Sequence, residues 1–408
     1  MQTINKNRVV LAAAMGGILT LAAPLAQAGP FFMGLGDLPG GDFFSQATGV
    51  SADGSTVVGY SRSTNSTNNS FEAFRWTQAG GMVGLGDLPG NNFFSQATGV
   101  SADGSTVVGY SASANGGGVE AFRWTETGGM VGLGDLPGGT YFSQARGVSA
   151  DGSIVVGDST SANGGEAFRR TEAGGMVGLG DLPGGFFYSR AYGVSGDGST
   201  VVGSSNSNSA NGIEAFRWTE TGGMVSLGDL PGGTYFSDAF GISADGSTVV
   251  GVSSSINSDF EAFRWTEAGG MVSLGDLPGG VFSSIAYGVS GDGSTVVGSS
   301  SSSANGGNGE PFLWTETGGI RALRDVLIND FSLDLTGWIL NHAIDISDDG
   351  QVIVGAGVNP QGQGETWIAN LRQDPIINPP SIPEPATLAL LGIGLTGLGW
   401  ARRRQAKA

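Results

Sequence analysis

The chain has 408 residues, among them 75 Gly, 36 Asp or Glu, 18 Lys or Arg, one His and no Cys, and a formal net charge of −18. That acidic balance excludes a nucleic-acid partner, which needs clustered Lys and Arg against phosphate. The missing Cys excludes disulfide staples and thiolate metal sites.

Residues 1–28 read as a secretory signal peptide. A basic start (Lys6, Arg8) leads into an apolar run from Val9, and Ala26-Gln27-Ala28 sets the cut after Ala28. A lone fourth-strand motif follows at Gly34–Leu38, ahead of any complete unit.

From there three motifs recur. An Asp-Gly turn before a β-branched run, as in GVSADGSTVVG, carries Asp53, Asp103, Asp151, Asp197, Asp245, Asp292 and Asp349. EAFRWT begins at Glu72, Glu120, Glu166, Glu214 and Glu261, and drifts to EPFLWT at Glu310 and ETWIA at Glu365. LGDLPG carries Asp37, Asp87, Asp135, Asp181, Asp229 and Asp276, with a degenerate copy, LRDVL, at Asp325. Each motif appears seven times, at spacings of 46 to 57 residues.

Four strands are legible in each unit. QATGVS enters a turn whose Gly supplies the positive φ of a hairpin. STVVGYS has adjacent valines, Val57 and Val58, which suit a strand buried on both faces. EAFRWT is the third strand, and GGMVGLGDL the fourth after a Gly-Gly turn. No stretch between the two end segments has helical periodicity.

Four short strands per unit describe a propeller blade, so the expected fold is all-β: a seven-bladed β-propeller over 29–371. A β-solenoid is the alternative, although its coils are usually shorter. The last unit lacks its own fourth strand. If Gly34–Leu38 supplies it, an N-terminal strand closes the ring and removes the exposed edges.

Alternation along EAFRWT sends Phe74 and Trp76 one way and Arg75 the other, making the aromatics an inter-blade core. Arg170 replaces Trp in the third copy, which predicts looser packing there.

Little points to catalysis. His342 is the sole His and reads as a polar residue at a strand edge; no G-x-S-x-G elbow accompanies it. Carboxylates repeated in every unit suit a structural job, because one active site does not need seven copies. Asp at an Asp-Gly turn accepts hydrogen bonds from following amides. Neither Asp motif has the spacing of a calcium loop, so no metal and no cofactor is expected.

Strands that alternate in direction put the Asp-Gly and TEAGG turns at one end of the ring. The other end receives LPGG and the Ser/Asn/Gly loops before EAF, which vary in length on a constant scaffold, as binding loops do. The candidate ligand-binding side chains there are Phe43, Phe44, Phe93, Phe94, Tyr141, Phe142, Phe187, Tyr188, Tyr235 and Phe236, followed by Phe282. In each adjacent pair one ring can pack inward while the other faces solvent. With Gln46, Gln96, Gln144 and Asp238 nearby, they have the chemistry to stack on and hydrogen-bond sugars.

Residues 372–382 form a Pro-rich linker. Beyond it, the apolar stretch Ala386–Ala401 barely crosses a hydrocarbon core at about 1.5 Å per residue, and Arg402, Arg403 and Arg404 stay cytoplasmic. Membrane contact is then a transient C-terminal helix.

Two resemblances accompany these readings. The repeat LGDLPGG…GVSADGSTVVG…EAFRWT resembles the HAF-type extracellular repeats of bacteria, with Glu in the place of the His of His-Ala-Phe. This resemblance implies an exported, β-rich repeat protein. Pro383-Glu384-Pro385, the hydrophobic stretch and the Arg cluster resemble a PEP-CTERM tail over 383–408. That implies recognition and removal by an exosortase-type enzyme in a Gram-negative envelope. The expected function is a non-enzymatic structural or interaction protein of the cell surface or extracellular matrix, with surface proteins or exopolysaccharide as partners. The alternative is a carbohydrate-binding propeller using the aromatic loop face.

Overall fold

In the first complete repeat, Gly40–Val50 (β2), Thr56–Ser63 (β3), Glu72–Thr77 (β4) and Gly81–Gly84 (β5) form one antiparallel sheet in the order β2-β3-β4-β5. The computed structural model describes residues 29–65, 70–90, 92–115, 118–208, 212–258, 260–303 and 309–373. Ala28, the sorting residues Pro383, Glu384, Pro385, Arg402, Arg403 and Arg404, and all of the linker after Gln373 lie outside the described residues.

The β2–β3 turn shows why Asp-Gly recurs. Gly54 takes φ +71°, a conformation that costs any residue with a Cβ. Asp53 Oδ1 accepts from Ser51 Oγ at 2.7 Å and from the Ser55 amide at 2.9 Å. The same amide bond recurs at Asp103, Asp151, Asp197, Asp245, Asp292 and Asp349. These bonds hold the Asp103 and Asp151 carboxyls down at about 2. Gly59 answers a different demand, because a Cβ there would sit 2.0 Å from the Gln46 carbonyl of β2.

Adjacent valines belong to different interfaces. Val57 packs with Val352, Val354 and Ile368 of the last blade, whereas Val58 packs with Val107 and Phe122 of the next. The hydrophobic core is thus distributed between blades. Phe74, Phe122, Phe168, Phe216, Phe263 and Phe312 are fully buried, and Trp367 fills their position in the last blade. Trp76 is buried with Phe74 in the first blade's cluster, whereas Trp124, Trp218, Trp265 and Trp314 are half-buried and pack against theirs. The cluster around Phe168 contains Met176 but no Trp, as Arg170 implies.

The repeated Glu also has a structural post. Glu72 and Glu120 are buried, and each accepts the amide of the following LGD glycine, Gly86 or Gly134, at 3.1 Å. Arg75 Nε donates to the Gly104 carbonyl of the next blade at 3.1 Å.

Seven such sheets are present. In the last, Ile339–Ile346, Val352–Val358 and Gly364–Asn370 are completed by Phe31–Gly34 (β1), whose Phe31 and Gly34 pair with Asn370 and Trp367. The ring is therefore closed by the N-terminal strand. That strand is Phe31–Gly34, one step earlier than Gly34–Leu38, because it is the counterpart of Gly81–Gly84 and precedes the LGD motif. Leu35 and Leu38 instead leave the sheet and bury themselves against Val57 and Phe74. A second difference lies before the last blade, where Leu323–Asp325 is α-helical and Val326–Asp330 π-helical. The LRDVL copy has lost the glycines of LGDLPG, and Leu323, Leu327 and Leu335 plug the core there.

Candidate functional site

β2 is the innermost strand of its blade, and alternate side chains on it face opposite ways. Ser45 and Ala47 are buried between blades, whereas Gln46 and Thr48 are half-buried on the face turned to the ring axis. Down the axis, the level of Thr48 lines an open cavity of 220 Å³. Ala47 has an identical counterpart in all seven blades, from Ala97 to Ala343. The axial positions diverge. At the level of Gln46 stand Gln96 and Gln144, then Arg190, Asp238, Ile285 and His342. At the level of Thr48 stand Thr98 and Arg146, then Tyr192, Phe240, Tyr287 and Ile344, all lining the cavity.

These side chains divide the channel. Ring contacts run continuously from Tyr192 to Phe240 (5.3 Å), Tyr287 (5.9 Å) and His342 (6.4 Å). The Arg146 guanidinium lies 5.3 Å from the Tyr192 ring centre, a cation–π contact. Arg146 Nε donates to Asp158 Oδ1 at 2.5 Å, and Arg190 Nε lies 3.8 Å from Asp158 Oδ2. Asp158, 5% exposed, stands where Tyr60 and Tyr110 stand in the first two blades. Burial lowers the pKa of His342 and raises that of Asp238. Asp345 replaces a glycine found in the six other blades and accepts the Val50 amide across the closing seam at 2.9 Å. The residue lines the channel half-buried, and desolvation of its carboxyl pushes the pKa up to about 7.

The predicted aromatics fall into two rows at the loop end. Phe44, Phe94, Phe142, Tyr188 and Phe236 each precede the buried Ser and share the parity of the channel-facing positions, so they form a collar around the mouth. All five are half-buried. Phe44 packs on Phe71 at 5.6 Å, and Arg190 lies 5.1 Å from the Tyr188 ring centre. Phe43, Phe93, Tyr141 and Phe187 point toward the variable loops and are half-buried too. Tyr141 is engaged with Asn115, and burial together with Glu120 pushes its phenol up to about 12. Gln46, Gln96, Gln144 and Asp238 do lie beside this collar, one turn of the alternation deeper.

Solvent-facing apolar groups at this end concentrate on blades four to six. Phe186 is 82% exposed, Ile256 77%, Val281 69%, Phe282 65% and Tyr235 56%. The loop of blade five reaches blade six, since Ser258 Oγ donates to the Phe282 carbonyl at 2.5 Å, and its Phe260 meets Phe236 edge-on at 5.8 Å. Only Tyr235 and Phe282 of this group were legible in the aromatic pairs. Phe186 precedes its pair, and Ile256 and Val281 carry no motif. The channel residues do have a sequence signal: in SQATGV and its copies the Ala stays constant while the residues immediately before and after it change.

Beyond the repeats, residues 381–404 match the PEP-CTERM protein-sorting motif. No curated protein matches the sequence. Among solved structures, the chain is similar to TolB from Acinetobacter baumannii, at 14% identity over 66% of this chain and 63% of that one, with a TM-score of 0.45. It thus spans less than two thirds of that relative. The β-propeller domain of the Trilobed protease from Pyrococcus furiosus, described as having an open velcro topology, matches at 10% identity over 85% of this chain and 99% of that one (TM-score 0.51). Puromycin hydrolase matches at 15% identity over 82% and 55% (TM-score 0.51). At such identities the likeness is one of fold. The chain is a seven-bladed β-propeller bearing a PEP-CTERM sorting motif, which marks it for export and for association with a bacterial cell envelope or surface.

Proposed function

We propose that this protein is a non-enzymatic interaction protein of the cell surface or extracellular matrix in a Gram-negative bacterium, and that its loop face binds exopolysaccharide. A secretory signal peptide at 1–28 and exosortase removal of the tail belong to the same reading. The observation that carries it is the concentration of exposed apolar side chains at the loop end of blades four to six, with Val281 and Phe282 on the strand Gly279–Val289 and Phe186, Tyr235 and Ile256 in the loops beside the strands. Exposed apolar groups gathered at one end of a domain mark interaction sites, and Phe186, Tyr235 and Phe282 offer flat rings to the apolar face of a sugar. Glu72, Glu120 and Glu166 and the aspartates of the Asp-Gly turns accept backbone amides, which is the structural job their repetition suits.

The test is calorimetric titration of the purified protein with soluble exopolysaccharides. Saturable binding that falls at least about tenfold in the double variant Phe186→Ser/Phe282→Ser, a loss of ~1.4 kcal/mol, supports the reading. Absence of saturable heat with any glycan overturns the polysaccharide assignment.

A further inference from the structure

The channel carries more information than a closed ring requires. Thr48 and Thr98 donate to carbonyls of the next blade, Ala97 and Ala145, at 2.9 Å, so one residue repeated seven times would close this level. Instead the change is matched between blades. Asp158 arrives together with Arg146 and Arg190, as a buried carboxylate requires.

We propose that the central channel is a pocket for one uronic-acid residue, a pyranose bearing a carboxylate, with Arg146 and Arg190 taking the carboxylate and the Tyr192–Phe240–Tyr287 wall taking the ring's apolar face. The inference rests on the glycan reading above but assigns a separate site.

The polar wall is rich in donors. Tyr60 donates to Gln46 Oε1 at 2.8 Å, Tyr110 donates to Gln96 Oε1, and Arg146 Nη2 donates to Gln144 Oε1 at 2.7 Å. Each contact occupies the amide oxygen and leaves the Nε2 donors for a ligand. Arg190 Nε is buried without a hydrogen-bond partner, as is His342 Nδ1. A donor wall facing an aromatic wall suits a molecule with acceptors along one edge and C–H groups on one face. The remaining carboxyls in the channel, Asp238 and Asp345, are both pushed toward the neutral form by burial, which reduces their repulsion of an anion. Arg146, Tyr192, Phe240, Tyr287 and Asp345 line the cavity of 220 Å³, whereas Arg190 and the glutamines stand one level nearer the mouth, so a ring against the aromatic wall would extend its carboxylate toward Arg190. At less than the roughly 300–1,000 Å³ of drug-sized pockets, the space suits a single sugar ring.

The experiment is calorimetric titration of the full chain with glucuronate, glucose and acetate. Glucuronate should bind saturably, with glucose and acetate each weaker by about tenfold or more. Arg190→Gln, at a partly exposed side chain, should cost about tenfold, and Phe240→Leu should weaken glucuronate and glucose alike. A thermal melt confirms that each variant is folded. Failure of glucuronate to bind, equal binding of glucose, or indifference to both variants overturns the proposal. The Phe186→Ser/Phe282→Ser variant should retain glucuronate binding while losing polysaccharide. A loss of both in that variant moves the uronate to the loop face and overturns the channel site.

Discussion

At the residue scale, the same letter does different work at different positions. Carboxyls in the Asp-Gly turns accept backbone amides and are held low, so their contribution is full above the ordinary carboxyl range and is lost as the pH falls toward about 2. Asp345 has the opposite sign. Its folded-state pKa of about 7 exceeds the ordinary 3.8, so the folded protein binds this proton more tightly than the unfolded chain. Its ionisation therefore costs stability progressively as the pH rises from about 4 to about 7, and the cost is constant above that. Asp345→Asn should melt higher than the parent at pH 8, with the difference shrinking by about pH 4; an unchanging difference across that range contradicts the assignment. Phe122, buried without exposure among Val58, Ala97 and Val107, is a test of the inter-blade core. Phe122→Ala should cost about 3–5 kcal/mol in denaturant unfolding. Arg170→Trp should raise the melting temperature, by restoring over Met176 the packing that Trp124 makes over Met130.

At the scale of elements, the blade was almost entirely legible. Positive-φ glycines, β-branched runs and fixed spacing all act within a few residues, so turns and inner strands can be placed from sequence. The closing strand was displaced by a few residues because LGDL is the stronger motif, whereas the hydrogen-bonded strand is the plainer FFMG before it. Phe31–Gly34 provides the only outer pairing of the last blade's Gly364–Asn370 edge among the described residues. Deleting Phe31–Gly34 should lower the melting temperature of the whole domain in a single transition. An unchanged melt would mean that the ring does not depend on this closure. The helical turn before the last blade escaped because its eight residues are too few for a period to emerge, and burial of Leu323 and Leu327 decides it.

At the scale of the whole molecule, closure is visible in a circuit of backbone bonds at the turn end. The amides of Ala52, Ala102, Ala150, Gly196, Ala244, Gly291 and Asp348 each donate to the next blade's carbonyl. The last returns to Ala52, at distances of 2.9–3.2 Å. Such a ring holds its axial side chains at fixed distances and angles, which is what a preorganised pocket needs. The sequence by itself determined the strand count, the blade number, the structural role of the turn aspartates and the sorting motif, because all of these are written in local periodicity and short-range chemistry. Only the tertiary structure decided which of the changing residues meet. Arg146, Arg190, Tyr192, Phe240 and Tyr287 are spread over some 140 residues of chain, and they converge because ring closure turns one face of every inner strand toward a common axis, where Arg146 and Arg190 also meet Asp158 of the neighbouring second strand.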